Sequence, residues 1–375
     1  MTEPSVKLLS DLIAIPSVNP MGREPSPGER FEEDLSRYLF DFLQRRGLDV
    51  EMEVVSPGRP NLLARVDIGA PETVLLEAHL DTVRAENMVI DPFTPTIRDG
   101  RIYGRGSCDT KGSLAAFVWA VSSLIEAKGK FSRNVLLAAV VDEEYGFTGA
   151  KHAVRRGLRA DFGIAGEPTR LSIVRAHKGV MRWNITARGA AAHSAYPDRG
   201  RNAIYSMARL ISRLEEYAGT LGAGAAHPLL GSPTISIGVV EGGEAVNIVP
   251  DRCRIQVDRR TIPGETTDSI LQPLRDMVSR MEDIVLEAPY LDVPGMEVLS
   301  DSPPVAHLGD AIRKATGDVA SEAAHYATDA GLYNAAGIPT VVFGPGDIRQ
   351  AHTDAEYLDL EEFQQAVRII RTLLS

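Results

Sequence analysis

The sequence predicts an α/β fold, in which a mainly parallel sheet flanked by helices is interrupted by a smaller α+β unit. Four short apolar runs, typical of buried parallel strands, alternate with stretches whose apolar residues repeat at helical spacing. Near residue 178 the pattern changes to alternation with period two, which is typical of half-exposed strands. The length of 375 residues exceeds what one hydrophobic core usually serves, so two domains are expected.

The first half of the chain predicts helices before and between its buried strands. Leu8, Leu9, Leu12 and Ile13 share one face of an early helix that ends before Pro16. A longer helix spans about residues 29–46, with a glycine after it as a C-terminal cap. An apolar stripe over residues 114–125 predicts a third helix. The four buried strands are predicted at residues 74–78, 135–141, 162–166 and 339–344.

Residues 178–292 predict the inserted unit. Strand patterns occur at residues 180–189, 234–240 and 253–261, and helical stripes occur at residues 204–214 and 267–281. The glycine- and alanine-rich piece from Gly219 to Gly224 is expected to be a loop. After residue 293 the helix and buried-strand pattern returns, and the chain finishes with a helix through residues 363–373. We therefore expect one discontinuous domain of residues 1–177 and 293–375, with residues 178–292 as the second domain.

Composition and charge argue against several classes of binding partner and several cellular locations. The net charge of -11 argues against a nucleic-acid or anionic-membrane partner, because those need basic patches. No apolar stretch approaches the length of a membrane span, and residues 1–20 lack the features of a secretory signal. The two cysteines, Cys108 and Cys253, imply no disulfide framework. We expect a cytoplasmic protein.

Metal-type ligands follow each of the buried runs, and the carboxyl ends of parallel strands meet at one edge of a sheet. Crowded carboxylates oppose folding unless cations compensate their charge. Histidine nitrogen with carboxylate oxygen, and no thiolate, suits zinc, cobalt or manganese. Any single one of these residues could be structural, since paired glutamates also stabilise helix N-termini. Their joint placement predicts two divalent ions that share a bridging carboxylate, with ligands among His79, Asp81, Asp109, Glu143, Glu144, Glu167 and His352.

The motifs around these residues resemble those of a known family. They run in family order through residues 77–83, 104–112, 142–146, 166–169, 192–197, 258–265 and 350–353. The chain resembles the dinuclear-zinc amidohydrolases that include acetylornithine deacetylase, succinyl-diaminopimelate desuccinylase, aminoacylase and carboxypeptidase G. Residues 327–331 and 344–352 look most like the acetylornithine deacetylases. The resemblance implies a zinc-exopeptidase-like domain with an inserted lid and dimerisation domain.

The resemblance also implies roles for the residues at the metal site. One ion would be held by His79, Asp109 and Glu167, and the other by Asp109, Glu144 and His352. Asp81 would orient the ring of His79, a support that metal-bound histidines commonly need. Glu143 would be the general base. The peptide bond between Asp109 and Thr110 is expected to be cis.

Further roles fall in the inserted unit. His193 is expected to stabilise the oxyanion in the partner subunit's site, which implies a homodimer. Arg260 and Asn247 are expected to hold the substrate carboxylate, with Arg259 as the alternative to Arg260. The strand at residues 234–240 is expected to be an exposed edge that could pair across the dimer axis.

The expected reaction is hydrolysis of an N-acyl amino acid to a free amino acid and acetate. A deacylase for another acyl amino acid, a desuccinylase, or an aminoacylase- or carboxypeptidase-like hydrolase are alternatives. A non-catalytic homologue that binds acyl amino acids is an alternative of another class, which loss of Glu143 or of a ligand would have favoured. Cys108 beside Asp109 could be a nucleophile, but a packed side chain is favoured because no partner histidine is evident.

Overall fold

The computed structural model describes residues 3–23, 26, 29–224 and 226–375. The chain divides into two compact units. Unit 1 comprises Met1–Arg175, Val298–Glu322 and Thr328–Ser375, and unit 2 comprises Ala176–Glu297 and Ala323–Ala327. The segment Ala323–Ala327, which the sequence analysis assigned to the first domain, groups with unit 2. Its carbonyl at Ala324 accepts a hydrogen bond of 3.2 Å from the backbone N–H of Lys178.

The helices begin and end close to the apolar stripes that predict them. The helices are α1 (Pro4–Ala14), α2 (Glu33–Gln44), α3 (Lys111–Glu126), α4 (Thr148–Arg155), α5 (Ala203–Ala223), α6 (Thr267–Val278), α7 (Pro303–Thr316), α8 (Ala330–Ala335) and α9 (Leu360–Leu374). No helix among the described residues combines the length and the apolar content that crossing a membrane requires.

The strands of the described residues fall into two main sheets and two small ones. Those up to the end of the first half are β1 (Asp49–Ser56), β2 (Arg59–Val66), β3 (Thr73–His79), β4 (Thr96–Arg98), β5 (Arg101–Tyr103), β6 (Asn134–Val140), β7 (Phe162–Ala165), β8 (Ile173–His177), β9 (Gly179–Arg188) and β10 (Ala192–His193). Those that follow are β11 (Thr234–Gly242), β12 (Ile248–Val249), β13 (Arg252–Thr261), β14 (Ile284–Leu286), β15 (Leu291–Val293), β16 (Met296–Glu297), β17 (Ser321–Ala324), β18 (Thr340–Val342) and β19 (Tyr357–Asp359).

The sheet of unit 1 has a parallel centre. Its strands run in the order β1-β2-β6-β3-β7-β18-β8, and β3 is parallel to both of its neighbours, as β18 is to β7. Parallel strands with helices on both faces are buried, and β3 and β6 are buried at every residue after the first. Helix α3 packs against α1 and α9, and α4 packs against α8. The predicted α/β class, with a mainly parallel central sheet flanked by helices, is confirmed.

Unit 2 is built on an antiparallel sheet in the order β11-β13-β9-β14. Strand β13 alternates between buried and half-exposed or exposed positions, as a sheet with one covered face does. Its core joins Trp183 and Ile185 of β9 to Leu210 of α5 and Leu271 of α6. Strand β11 pairs only with β13 among the described strands, and most of its residues are exposed. It is therefore an edge strand.

The prediction of a loop from Gly219 to Gly224 is wrong. Helix α5 continues to Ala223 and takes in both Gly219 and Gly222. Glycine costs a helix about 1 kcal/mol relative to alanine. Tyr217 extends the apolar stripe of residues 204–214 at helical spacing and packs against the core of unit 2, which favours continuation of the helix.

Candidate metal centre

The predicted ligands of unit 1 meet at the carboxyl edge of its parallel strands. His79 is the last residue of β3, and Glu144 lies in the turn that follows β6. Glu167 follows β7, Asp109 precedes α3, and His352 follows the short helical turn Ile348–Gln350. Since β6, β3, β7 and β18 are neighbours in the sheet, their ends deliver side chains to one place.

The first group comprises His79, Asp109 and Glu167, all buried. Nε2 of His79 lies 3.1 Å from Oδ1 of Asp109 and 3.7 Å from Oε1 of Glu167. The other ring nitrogen, Nδ1, lies 2.8 Å from the backbone carbonyl of Asp81, which it can donate to. With Nδ1 engaged in this way, Nε2 is the ring nitrogen that faces the two carboxylates.

The second group comprises Asp109, Glu144 and His352. Nε2 of His352 lies 3.3 Å from Oδ2 of Asp109 and 3.1 Å from Oε2 of Glu144. Asp109 therefore faces the first group with Oδ1 and the second group with Oδ2. Ligand atoms that are each about 2.0–2.2 Å from one tetrahedral ion lie roughly 3.3 Å apart, so both groups have the spacing that such an ion requires.

The donor set and its hydrogen bonding also suit divalent cations. It consists of imidazole nitrogen and carboxylate oxygen, without thiolate. Oε1 of Glu144 is buried and has no hydrogen-bond partner among the described residues. A buried carboxylate oxygen of this kind needs a proton or a cation nearby. The side chains fit two divalent ions that share Asp109.

Burial raises the pKa values of the glutamates at this site. Burial, followed by the charge of Asp109, raises the pKa of Glu144 to about 7 and that of Glu167 well above its ordinary range. Burial also raises the pKa of Glu143, with the charge of Glu167 as the next cause. Burial acts on Asp109 in the same direction, but hydrogen bonds from His352 and His79 hold the pKa of Asp109 below its ordinary value. Positive charge placed between the carboxylates would stabilise their ionised forms.

Comparison with known proteins identifies the family. Residues 75–375 match peptidase family M20/M25/M40. The chain belongs to this family. It is 33% identical to the acetylornithine deacetylase of Photorhabdus laumondii subsp. laumondii over 383 residues, which cover 99% of this chain and 96% of that protein. It is 35% identical to the acetylornithine deacetylase of Myxococcus xanthus over 309 residues, covering 79% of this chain and 77% of that protein.

Solved structures share the fold of this family member. An M20 family metallo-carboxypeptidase from Sulfolobus solfataricus matches with a TM-score of 0.83 and 20% identity, covering 99% of this chain and 98% of that chain. The aminopeptidase PepT of Bacillus cereus matches with a TM-score of 0.77 and 23% identity, covering 99% of this chain and 97% of that chain. The resemblance inferred from the motifs is confirmed, and the chain is a metal-binding hydrolase of a metallopeptidase family.

Asp81 makes contacts that the motifs did not predict. Its backbone carbonyl, rather than its carboxylate, is the close partner of His79, since Oδ1 lies 3.7 Å from Nδ1. The carboxylate instead accepts hydrogen bonds of 3.1 Å from the backbone N–H groups of Glu143 and Glu144. Asp81 thus contacts the histidine with its main chain and the turn after β6 with its side chain.

Glu356 is a buried residue that sequence reasoning missed. Its Oε1 accepts the N–H groups of Cys108 and Asp109 at 2.8 and 3.0 Å. Its Oε2 accepts the N–H of Gly106 at 2.9 Å and Nη1 of Arg105 at 2.8 Å. One carboxylate therefore holds the turn that presents Asp109. The peptide bond between Asp109 and Thr110 is cis, as predicted.

His193 and Asn247 are neighbours within unit 2. His193 lies in β10, which pairs with β12, and the N–H of Ser194 donates 3.0 Å to the carbonyl of Asn247. Both residues are exposed. Nδ1 of His193 accepts the N–H of Ala195 at 3.0 Å, which leaves Nε2 for another partner.

The two candidate arginines of β13 differ in their surroundings. Arg259 is buried and forms an ion pair of 2.5 Å with Glu265. The Arg260 side chain is 33% exposed, and its Nε lies 2.9 Å from Asp258. Arg260 is therefore the accessible guanidinium of the pair.

Cys108 is a packed side chain. It is fully buried, and its thiol lies 3.4 Å from the carbonyl of Asp347. Burial raises the pKa of the Cys108 thiol well above its ordinary value. A reactive cysteine needs the opposite shift, so the geometry does not support a nucleophile here.

Proposed function

We propose that this protein hydrolyses the amide bond of N-acyl amino acids, and that its preferred substrate is an N-acetyl amino acid of the acetylornithine type. The observation that carries the proposal is the pair of ligand groups joined by Asp109, with Glu143 next to the ligand Glu144. The relatives that cover almost the whole chain are acetylornithine deacetylases, which favours an acetyl group as the acyl group.

The proposed cofactor is a pair of divalent ions. His79, Asp109 and Glu167 would hold one, and Asp109, Glu144 and His352 would hold the other, with zinc as the metal and cobalt or manganese as alternatives. When bound, such ions polarise a carbonyl oxygen and lower the pKa of a water molecule. The contacts of Asp109 with both histidines support its role as the shared ligand.

Glu143 is the proposed general base. Its backbone N–H is fixed by Asp81, and its half-buried side chain has a raised pKa because of burial. Proton transfer is most efficient when the pKa of the base lies near the working pH, so the direction of this shift suits the task. Glu143 would take a proton from the attacking water and deliver it to the leaving amine nitrogen. The substrate then separates into a carboxylic acid and a free amino acid.

The remaining roles extend to unit 2. We retain His193 as the group that stabilises the oxyanion in the partner subunit's site, and Arg260 and Asn247 as ligands of the substrate carboxylate. The exposure of His193 and Asn247, the partial exposure of Arg260 and the bidentate donor geometry of arginine support these roles. The edge strand β11 supports a homodimer, because an unpaired edge can add a strand across a two-fold axis. A cytoplasmic location agrees with the two free, buried cysteines.

Metal analysis combined with a substrate panel tests the proposal. Purified protein is loaded with zinc, and its metal content is measured by plasma emission. Turnover is then measured on N-acetylornithine, other N-acetyl amino acids, N-succinyl-diaminopimelate and dipeptides. We expect two ions per chain and the highest kcat/KM on an N-acetyl amino acid. Two bound ions without turnover of any acyl amino acid would refute the proposed reaction.

A further inference from the structure

Asn19 lies buried beside the candidate metal centre, in a segment to which the motifs assign no role. It is 1% exposed. Its segment runs alongside residues 80–82: the N–H of Thr82 donates 3.0 Å to the carbonyl of Ser17, and the N–H of Asn19 donates 2.8 Å to the carbonyl of Thr82. The backbone of Asn19 is therefore fixed next to the turn that follows β3.

The Asn19 amide joins two buried carboxylates. Its Nδ2 donates a hydrogen bond of 2.7 Å to Oδ2 of Asp81 and one of 2.9 Å to Oδ1 of Asp142. Its Oδ1 accepts the backbone N–H of Met21 at 2.7 Å. Because a backbone N–H can only donate, this last contact fixes which end of the amide is oxygen. Both amide hydrogens are thus available for the two carboxylates.

These carboxylates hold the turn that presents Glu143 and Glu144. Asp81 accepts the backbone N–H of Glu143 with Oδ1 and that of Glu144 with Oδ2. Asp142 begins the same turn in the left-handed region, with φ +69°. This conformation is uncommon for a residue other than glycine, so surrounding contacts must maintain it.

Asp142 is held on its other side by a buried arginine. Nη1 of Arg59 donates 2.8 Å to Oδ1 of Asp142, and Arg59 is paired in turn with the buried Glu32. The hydroxyl of Thr148 donates 2.8 Å to Oδ2 of Asp142. Asn19 is the member of this network that contacts both Asp81 and Asp142. It lets two like charges lie close together by giving each one a donor without adding charge.

We propose that Asn19 is a positioning residue for the reaction: by joining Asp81 to Asp142 it sets the backbone of the turn that carries the general base Glu143 and the metal ligand Glu144. The roles of those two glutamates rest on the proposed function. Removal of the amide would leave two buried carboxylates each short of a donor, and the turn could then relax from its left-handed start. The expected consequence is a misplaced base and a weakened ligand, in a protein that still folds.

The first test compares Asn19→Ala with the wild-type chain and with Ser17→Ala. Ser17 is a matched control, because its hydroxyl donates 2.7 Å to the carbonyl of Leu80 from the same segment but does not contact the carboxylates. Partners that orient metal ligands typically contribute 10–100-fold to affinity or activity. We expect Asn19→Ala to lower kcat by about 10–100-fold with KM within about threefold, and Ser17→Ala to keep the wild-type kcat.

Cobalt titration provides a readout that does not depend on turnover. Metal-free protein is titrated with Co²⁺, and the visible absorption of the bound ion is followed. We expect one of the two equivalents to bind about tenfold or more weakly in Asn19→Ala and both to bind normally in Ser17→Ala. Wild-type cobalt affinities together with wild-type kcat in Asn19→Ala would overturn the proposal. A lack of wild-type turnover on acyl amino acids would refute the proposed function, while the titration would still decide the role of Asn19.

A replacement of the same shape separates positioning from folding. Asn19→Asp places a third carboxylate beside Asp81 and Asp142 in place of the donor, so it should lower kcat and weaken cobalt binding more than Asn19→Ala does. Cobalt affinity and kcat in Asn19→Asp at or above those of Asn19→Ala, in a protein with the circular dichroism spectrum of the wild type, would overturn the proposal. Failure of both variants to fold would show that Asn19 serves the fold instead, and would also overturn it.

Discussion

Replacing Glu356 with glutamine tests how the turn that presents Asp109 is held in place. The carboxylate accepts two hydrogen bonds at each oxygen, from three backbone N–H groups and from Arg105. Glutamine has the same shape, but its NH₂ group can only donate. Whichever way the amide is placed, one end would bring a donor against two donors.

The magnitude follows from those contacts. Two hydrogen bonds to a buried charged group are lost, each worth about 1.5–3 kcal/mol, and Arg105 loses its buried partner. Breaking a buried ion pair by changing one member costs roughly 3–5 kcal/mol. Burial raises the pKa of Glu356, and the hydrogen bond from the Asp109 N–H opposes that rise, so the bonds offset part of the cost of burying the carboxylate. We expect Glu356→Gln to reduce the free energy of unfolding by about 3–5 kcal/mol.

Urea denaturation of the metal-free protein, followed by circular dichroism, measures this change. Glu361→Gln is the control, because this substitution removes the same charge and Glu361 lies exposed in the first turn of α9. Surface substitutions of this kind usually stay within about 0.5 kcal/mol. Metal affinity should fall in parallel, since Asp109 is presented by the same turn. A Glu356→Gln stability within about 1 kcal/mol of wild type would refute this reasoning.

Three further predictions concern the groups proposed for catalysis and metal binding. Glu143→Gln removes proton transfer, so kcat should fall by about 10²–10⁴-fold while the metal content stays unchanged. If plasma emission instead shows that the variant has lost metal, Glu143 is a ligand. In the metal-free protein, hydrogen bonds to Asp109 and Glu144 raise the pKa of His352 to about 10, above an unfolded value of roughly 6.5. His352 therefore stabilises the fold fully below about pH 6.5 and loses this effect as pH rises towards 10. The Tm difference between metal-free wild type and His352→Asn should shrink over that range, and a growing difference would contradict the shift. If His193 acts in trans, heterodimers formed by mixing His193→Ala and Glu143→Gln chains hold one wild-type site and should regain up to about half activity each. Proven subunit exchange without recovered turnover would exclude that role.

The strand ends could be predicted because they depend on local patterns. An apolar run of strand length followed by a polar ligand fixes both the element and the edge at which the ligand emerges. This is why His79 at the end of β3 and Glu167 after β7 were placed at one site from sequence alone. The end of α5 was missed because local composition favoured a loop, whereas the helix continues past Tyr217, which packs against the core of unit 2.

The supporting contacts could not be predicted, because they join distant parts of the chain. Glu356 binds the N–H of Asp109 across 247 residues, and Asn19 binds Asp81 across 62 residues. Neither residue has a neighbourhood that marks it, since a single buried glutamate or asparagine carries no periodic pattern. Only the arrangement of the folded chain reveals that these two side chains contact the segments from which the proposed metal ligands project.

The ends of the longer segment of unit 2 lie side by side. Ala176 pairs with Glu297 and His177 pairs with Met296, in antiparallel register. The chain thus leaves and returns at adjacent positions, as it would in a tight hairpin. The entropy of closing a loop grows only slowly with its length, so this geometry tolerates an insert of almost any size between the two strands. A module of different size and purpose could be grafted between His177 and Met296 with little penalty, provided that its own termini lie as close together.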